Sequence, residues 1–263
     1  MNKIKTLITK EWAEVFKNRF VIFAVAFLPL LFTAIPVTIL YLLSTSEDVS
    51  EFSLGDFVPE FAQLCAGLSE LGCNQFIIML QFMPLFLMLP VILPITIAAH
   101  SIVGEKTART LEPLLATPIT TVELLAGKGL AAALPAIFAS WLSYILYIIA
   151  VNLLKLEAAI VAWLFNPLWL IAIFVVGPLL SLAAVSLAVM ISSRTSDPRV
   201  AEQISGLLVL PLVGLIIAQS VGVIFINATL ILWVAGVLAV LDVGLLAFAA
   251  QLFQRETILT RWK

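Results

Sequence analysis

Residues 20–43 read FVIFAVAFLPLLFTAIPVTILYLL, an apolar run without a single charged side chain. A helix needs ~20 predominantly apolar residues to cross the hydrocarbon core of a bilayer, so this run predicts a transmembrane helix. Similar runs recur along the chain. We therefore predict an all-α, polytopic membrane protein that forms one transmembrane domain over residues 1–263. The six predicted spans are approximately 20–43, 76–103, 129–151, 167–191, 204–221 and 230–253.

The last two spans come from a single apolar block, residues 204–253, whose one charged side chain is Asp242. As one helix this block would be ~75 Å long against a core of ~30 Å, so it must turn back. Gly222, Asn227 and Thr229 mark the expected bend. The apolar residues around this bend favour a short re-entrant or interfacial piece over a solvated loop.

The basic residues are distributed asymmetrically between the two sides of these spans. The connectors and termini on one side contain 13 of the 14 lysines and arginines, and Lys155 alone lies on the other side. Basic residues concentrate in cytoplasmic segments, so we expect both termini and the connector 104–128 in the cytoplasm and the loop 44–75 outside. The expected location is the inner (cytoplasmic) membrane. With 62% hydrophobic and 11% charged residues, nothing in the composition supports a nucleic-acid partner.

Residues 1–19 have the pattern of an amphipathic helix. Apolar side chains recur at three- and four-residue spacing, and lysine, threonine and glutamate side chains surround them. We predict an interfacial helix that contacts membrane lipid, in preference to a charged tail with accidental periodicity. The apolar stripe consists of Ile4, Leu7, Ile8, Trp12, Val15 and Phe16.

Both cysteines of the chain, Cys65 and Cys73, fall in the predicted outer loop. On an oxidising face of the membrane they could form a disulfide. Two unrelated small apolar residues explain the same pattern equally well, and the spacing does not separate these alternatives.

Motifs for catalysis are missing from the sequence. The chain has one histidine, so it has no His-x-x-x-His pair for a metal, and it contains no nucleophile elbow. Gly127-Lys128 lacks the upstream glycine of a phosphate-binding loop, because Val122 stands there. We expect no metal, no bound cofactor and no enzymatic activity in this chain.

Asp242 is the one carboxylate in the middle of a predicted span. An acid there is costly unless it faces protein or water, so a role in a substrate path or in gating and a structural role are both open. No basic residue lies within a span to pair with it. We expect Asp242 to face the helix bundle or an interface with a second membrane-spanning chain, and not lipid. We also expect it to be protonated, exposed to a polar cavity, or hydrogen-bonded. The side chains considered for such hydrogen bonds are Ser181, Ser186, Gln81 and Gln219.

The predicted cytoplasmic connector contains the densest motif, GEKTARTLEPLLATPIT, at residues 104–120. Pro113 and Pro118 limit any helix between them to a short one, and Thr120-x-x-Glu123 has the spacing of a capping box at the start of the next helix. A short charged helix between two rigid spans can transmit force from a soluble partner.

This motif resembles the Glu-Lys…Thr-Leu-Glu-x-Leu-Leu-x-Thr-Pro signature of the permease subunits of type-2 ABC exporters, with Arg109 where many members have glycine. The segment 192–203 before the fifth span resembles a second motif of the same family and contributes Arg194, Asp197 and Arg199. The resemblance implies a coupling helix whose ATPase-facing residues are Glu105, Lys106, Arg109, Thr110, Leu111, Glu112, Leu114, Leu115 and Pro118.

The resemblance also implies the partners. Two permeases, of the same or related chains, would each dock one ABC ATPase subunit, and ATP and magnesium would bind to that ATPase. Residues 1–19 would be the family's interfacial elbow helix. An ATP-independent secondary transporter or channel is the alternative. It would require inverted repeats with charged residues near the midplane, and the sequence shows no clear repeat.

Overall fold

A computed structural model describes residues 2–45, 65–107 and 120–252. Within these ranges the chain is helical and contains no strand. Six helical units are long and apolar enough to cross a membrane, which confirms the predicted all-α polytopic class and the six spans. The α-helices are α1 Asn2–Val15, α2 Arg19–Thr45, α3 Glu70–Phe82, α4 Leu89–Thr107, α5 Thr121–Leu153, α6 Ala158–Leu164, α7 Pro167–Ile171, α8 Gly177–Arg194, α9 Pro198–Gly206, α10 Leu210–Ser220 and α11 Ala228–Leu252.

Three of the six spans are interrupted near their middle. Span 2 passes through a 3₁₀ segment at Met83–Leu87, span 4 through a π segment at Ala172–Val176, and span 5 through a 3₁₀ segment at Leu207–Val209. A proline lies within or just after each interruption, at positions 84, 178 and 211. Proline removes a backbone donor, so the ordinary hydrogen-bond ladder cannot continue unchanged. The interruption of span 2 therefore coincides with Pro84.

Helices α4, α5 and α8 pack against one another and form the centre of the bundle. The core at this centre contains large aromatic side chains, and the ring of Phe86 lies 5.7 Å from that of Tyr144 and 5.2 Å from that of Tyr147. The hydroxyl of Tyr144 donates a hydrogen bond to the carbonyl oxygen of Leu164 at 2.6 Å. Helices α2 and α11 lie at the periphery, where most of their apolar side chains stay exposed for contact with lipid.

Several helices extend beyond the predicted span limits. Helix α3 begins at Glu70, inside the predicted outer loop 44–75, and span 4 begins at Ala158 instead of residue 167. Helix α4 continues to Thr107 and α5 begins at Thr121, so both ends of the predicted loop 104–128 are helical. Hydropathy locates only the part of a helix that needs an apolar solvent, whereas hydrogen bonding continues the helix past that part. The predicted coupling helix lies outside the described residues.

Capping residues explain where these longer helices start. Thr120 accepts a hydrogen bond from the backbone N–H of Glu123 at 3.2 Å, and the Glu123 carboxylate accepts one from the N–H of Thr120 at 2.8 Å. This is the capping box that the sequence predicts. Ser69 caps α3 by accepting a hydrogen bond from the N–H of Gly72 at 3.0 Å.

The bend between spans 5 and 6 is formed by residues 221–227. Gly222 has a φ of +75°, a left-handed conformation that favours glycine, and Asn227 accepts a hydrogen bond from the N–H of Leu230 at 2.8 Å. The predicted bend is thus confirmed, and its backbone is a turn at residues 221–222 followed by irregular residues.

The end of the bundle opposite the α4–α5 connector contains a disulfide between Cys65 and Cys73, whose Cα atoms lie 5.1 Å apart. Glu157, between α5 and α6, accepts hydrogen bonds from the backbone N–H and the hydroxyl of Ser69 at the start of α3. A carboxylate at a helix N-terminus is favourable because it lies at the positive end of the helix dipole. These contacts join the loop before span 2 to the loop between spans 3 and 4.

Candidate functional site

The connector end of the bundle, where α4 ends at Thr107 and α5 begins at Thr121, contains an unusual group of charges. Helix α1 packs across both helices there. Its buried stripe consists of Leu7, Glu11 and Val15, which recur every four residues and therefore share one face of the helix. The middle residue of this stripe is an acid, so α1 carries a charge into the contact.

Four charged side chains meet at this contact, and we call Lys10, Glu11, Glu105 and Lys128 the charge cluster. The ammonium nitrogen of Lys128 lies 2.8 Å from Oε1 of Glu11 and 2.7 Å from Oε2 of Glu105. The ammonium nitrogen of Lys10 lies 2.6 Å from Oε1 of Glu105. Ser101 completes the group by donating its hydroxyl to Oε2 of Glu11 at 2.5 Å. Three helices, α1, α4 and α5, are therefore connected by one network.

Burial makes these contacts more than surface ion pairs. The side chains of Glu11, Glu105 and Lys128 are exposed by 2%, 5% and 5%, whereas Lys10 is 37% exposed. Exposed pairs contribute about 0–1 kcal/mol, but removing one partner from a buried pair costs several kcal/mol because a charge is left uncompensated. The three buried charges sum to one negative charge, and Lys10 at the water-facing edge balances it.

The environment changes the proton affinity of both α1 members of the cluster. Burial alone would raise the pKa of the Glu11 carboxyl, but the charge and hydrogen bonds of Lys128, Ser101 and Lys10 hold that pKa below its usual value. Burial would likewise lower the pKa of Lys10, but the hydrogen bond and charge of Glu105 raise it above its usual value. Both groups are therefore charged over the whole neutral range.

Close backbone approach places α1 against α5 beside the cluster. An ideal Cβ built on Gly127 would lie 2.4 Å from Cδ2 of Leu7 and 3.2 Å from its Cβ, so Leu7 in this position leaves no space for a side chain at residue 127. One turn further on, the indole N–H of Trp12 donates a hydrogen bond to the carbonyl oxygen of Ala131 at 2.9 Å. The apolar stripe predicted for lipid contact is thus used in part against protein.

Glu105 and Lys128 lie at the two ends of the connector that contains the predicted coupling motif. Their ion pair holds the end of α4 and the start of α5 together at the base of the connector. Of the predicted coupling residues, Glu105 is described fully and Lys106 only as part of α4. The remaining ones lie outside the described residues: Arg109, Thr110, Leu111, Glu112, Leu114, Leu115 and Pro118.

The second predicted motif joins α8 to α9. Arg194 is in the last turn of α8, and Asp197 caps α9 by accepting a hydrogen bond from the N–H of Arg199 at 2.8 Å. Asp197 therefore has a local structural task. One turn later, the Glu202 carboxylate accepts a hydrogen bond from the hydroxyl of Thr96 on α4, a contact that sequence analysis did not anticipate.

Asp242 faces the bundle, as expected from the sequence, and is only 4% exposed. It lies on α11, a helix that packs against α8. Neither carboxylate oxygen has a hydrogen-bond partner among the described residues. The predicted amide partners are occupied elsewhere: Gln219 donates to the carbonyl oxygen of Leu80 at 3.0 Å, and Gln81 donates to Ser220. The hydroxyl of Ser181 on α8 is also buried and unpartnered within the described chain.

Sequence analysis missed Glu11 and Lys128 as site residues. A signal for Glu11 was present, because it interrupts an apolar stripe between Leu7 and Val15 at four-residue spacing. No local pattern indicates a role for Lys128 in a site, since its pairing with Glu11 depends on how α1 packs against α5. The cluster therefore becomes visible only once the tertiary structure is known.

Comparison with known families agrees with this architecture. The family model for ABC-2 family transporter proteins matches residues 5–232, which extend from α1 into α11. No curated protein matches the sequence significantly. The matched region includes the charge cluster, both motifs predicted to be cytoplasmic and five complete spans. This chain therefore belongs to the ABC-2 transporter family and is a membrane-spanning permease of an ABC transporter of the type-2 class.

Proposed function

We propose that this permease is the membrane half of an ATP-driven exporter whose energy comes from a separate ATPase subunit. In the complete complex, two permeases of the same or related chains dock two ATPase subunits, which bind ATP and magnesium. The permease itself performs no catalysis. It lies in the inner membrane with both termini and the connector end of the bundle in the cytoplasm.

The observation that carries this proposal is the way in which the connector is anchored. The predicted coupling motif starts at Glu105, and its return to the membrane passes Lys128, which pairs with Glu105 at 2.7 Å. If the connector were anchored at only one end, a movement of the ATPase against it would displace the loop without moving the spans. Because both ends belong to long rigid helices, α4 and α5, a push is delivered to spans 2 and 3 together.

The proposed coupling residues divide into charged and apolar ones. Glu112 and Arg109 would pair with charges on the ATPase, where water weakens their contribution. Leu115 would act as an apolar anchor, and a side chain buried near the centre of an interface contributes more binding energy than charges at its water-exposed rim. Closure of the ATPase dimer on ATP would then move the connector and change the path between the two permeases.

Co-purification tests the partner directly. A tagged permease extracted in mild detergent should bring down an ATPase with a phosphate-binding loop, and the complex should hydrolyse ATP. We expect Leu115→Asp to reduce assembly or coupled hydrolysis more than the matched connector variant Lys106→Ala. Failure of the wild-type chain to retain any ATPase would contradict the proposed function, and an intact complex with Leu115→Asp would remove the anchor role.

Orientation is tested by labelling single introduced cysteines in a background without native thiols. A reagent that does not cross the membrane should modify Asp56→Cys from outside intact cells and leave Thr107→Cys untouched until the membrane is opened. The reverse pattern would place the connector outside and would contradict an ATPase partner on that face.

For Asp242 we propose a role in gating or in the substrate path. Its support is that a buried carboxylate without a hydrogen-bond partner costs stability, so the fold gains nothing from it. Asp242→Asn should retain assembly with the ATPase and change transport. If the Asn and Leu variants transport as the wild type does, this role is wrong.

A further inference from the structure

The charge cluster suggests a task for α1 that the connector motif alone does not assign. Glu11 on α1 and Glu105 on α4 share one cation, Lys128 on α5, with N–O distances of 2.8 and 2.7 Å. Lys10 on α1 binds the same Glu105 from its other oxygen at 2.6 Å. Helix α1 therefore contacts both ends of the connector through two oppositely charged side chains that are neighbours in sequence.

We propose that Glu11 and Lys128 are positioning residues that hold α1 and both ends of the connector together as one rigid body. This inference rests on the proposed function, since it assigns the part of the permease that moves as a unit when the ATPase pushes. Helix α1 is then not a passive membrane anchor. Together with the end of α4 and the start of α5, it fixes the position of the coupling segment.

Packing around the cluster supports a rigid joint over a loose one. Leu7 fills the space that a side chain at position 127 would need, and Trp12 is hydrogen-bonded to the α5 backbone. Both contacts lie within four residues of Glu11 or Lys128. Apolar packing on both sides keeps water away from the ion pairs, so salt screens them much less than it screens exposed pairs. An interface with buried charges also resists sliding, because a shift would separate charges in a medium of low dielectric constant.

The alternative is that the cluster serves only the stability of the permease. Helix α1 would then be attached to the bundle by the cluster, but its attachment would not influence how ATP hydrolysis is coupled to the permease. These alternatives differ in the activity of complexes that have already assembled. A purely structural cluster changes the yield of complex, whereas a positioning cluster changes the activity of each complex that forms.

The first experiment measures ATP hydrolysis per assembled complex in lipid nanodiscs, with the isolated ATPase as reference. Glu11→Gln keeps the shape of the side chain and removes its charge. Glu14→Gln is the matched control, because Glu14 lies on the same helix, 3.4 Å from Lys10, but is 51% exposed. We expect Glu11→Gln to reduce the effect of the permease on hydrolysis roughly tenfold, as loss of a charged hydrogen bond does, and Glu14→Gln to leave it near wild type.

The second experiment replaces the ion pairs by a covalent bond. Cβ atoms at positions 7 and 127 would lie 3.2 Å apart, a few tenths of an ångström below the ~3.5–4.5 Å of disulfides. Leu7→Cys removes the Leu7 atoms that lie closest to position 127, so together with Gly127→Cys it should allow a cross-link between α1 and α5 after a small adjustment. The inference predicts that the cross-linked protein stays fully active. It also predicts that the cross-link restores activity to Glu11→Gln and that reduction removes this rescue. Leu7→Cys alone, treated with the same reductant, controls for the native Cys65–Cys73 disulfide.

The outcomes separate this inference from the proposed function. If the wild-type permease neither binds nor affects an ATPase, the proposed function fails. If it does both, and Glu11→Gln has wild-type activity per complex, the positioning role is overturned. If Glu11→Gln does not fold, the activity of the cross-linked protein with native Glu11 still tests the inference. Loss of activity on cross-linking would show that α1 must move relative to α5, which also overturns the inference.

Discussion

Glu11 and Asp242 are two carboxylates of one chain, both almost completely buried, in opposite electrostatic situations. Glu11 lies at the connector end and accepts hydrogen bonds from Lys128 at 2.8 Å and from Ser101 at 2.5 Å. Asp242 lies within a span, and its oxygens have no hydrogen-bond partner in the described part of the chain. Equal burial therefore says nothing about the energy of a charge until its partners are known.

The difference indicates what each site is for. A buried acid that is fully paired holds helices in register, and breaking its pairs is expensive. A buried acid without partners weakens the fold, so its presence points to a task that requires a polar group in an apolar place. If the proposed function is right, Glu11 belongs to the part of the permease that receives force from the ATPase, and Asp242 to the part of the bundle that responds.

Removal of the shared cation should produce the largest effect. Lys128→Met leaves Glu11 and Glu105 buried with only the half-exposed Lys10 nearby, so we expect a loss of about 3–5 kcal/mol in the free energy of unfolding. Unfolding of the purified permease in mixed detergent micelles measures this loss. Lys128→Arg keeps the charge and should lose clearly less. Equal losses in the two variants would mean that packing, and not charge, dominates the site.

At Asp242 we expect a substitution to raise the free energy of unfolding instead of lowering it. Asp242→Leu replaces an unpartnered acid by an apolar side chain of similar size, so the free energy of unfolding should rise by about 1–3 kcal/mol. The same unfolding assay applies, with Asp242→Asn as a control that keeps a polar group and should gain little. A destabilised Leu variant would show that Asp242 has a stabilising partner, and the contrast with Glu11 would disappear.

Low pH should remove the contribution of Glu11 to the stability of the fold. Because the pKa of Glu11 is lowered on folding, its stabilisation is present above its usual pKa of about 4.3 and is lost as pH falls through the lower folded value. The stability difference between wild type and Glu11→Gln should therefore shrink below about pH 4. Thermal unfolding of both proteins across this pH range measures it, and a constant difference would contradict the cause assigned to the lowered pKa.

The smallest effect is expected at the exposed edge of the cluster. Lys10 is 37% exposed, so Lys10→Met should cost only about 0–1 kcal/mol at physiological salt. Its raised pKa means that this contribution is present below the usual pKa of about 10.4 and is lost as pH rises through the folded value. Unfolding at low and high salt checks this prediction, because the loss should decrease as salt increases. A loss as large as that of Lys128→Met would mean that Lys10 is effectively buried.

The parts of the fold that local patterns could predict are those governed by local physics. The apolar run of span 1, the capping box of Thr120 and Glu123, and the bend at Gly222 each depend on residues close in sequence. The inward orientation of Asp242 also followed from a local argument, because lipid cannot solvate a carboxylate. In each case, residues close in sequence or the apolar solvent determine the feature, so it can be predicted without knowing the tertiary packing.

The charge cluster could not be predicted in this way. Its three buried members come from positions 11, 105 and 128, and the pairings require three helices to pack before any charge meets another. Hydrogen bonds were one of the three possibilities predicted for Asp242, but two of the candidate partners, Gln81 and Gln219, donate to other groups. Competition among polar groups for partners is settled only by tertiary packing, which one sequence does not reveal.

The ion pair between Glu105 and Lys128 also has an entropic consequence. It closes a loop of chain before any partner arrives, so the cost of bringing the loop ends together is met when the permease folds. The cost of closure grows only with the logarithm of loop length, at about 0.6 kcal/mol for each doubling. The segment between Glu105 and Lys128 can therefore gain or lose residues, and fit a different partner surface, with little change in the stability of the ion pair that closes it.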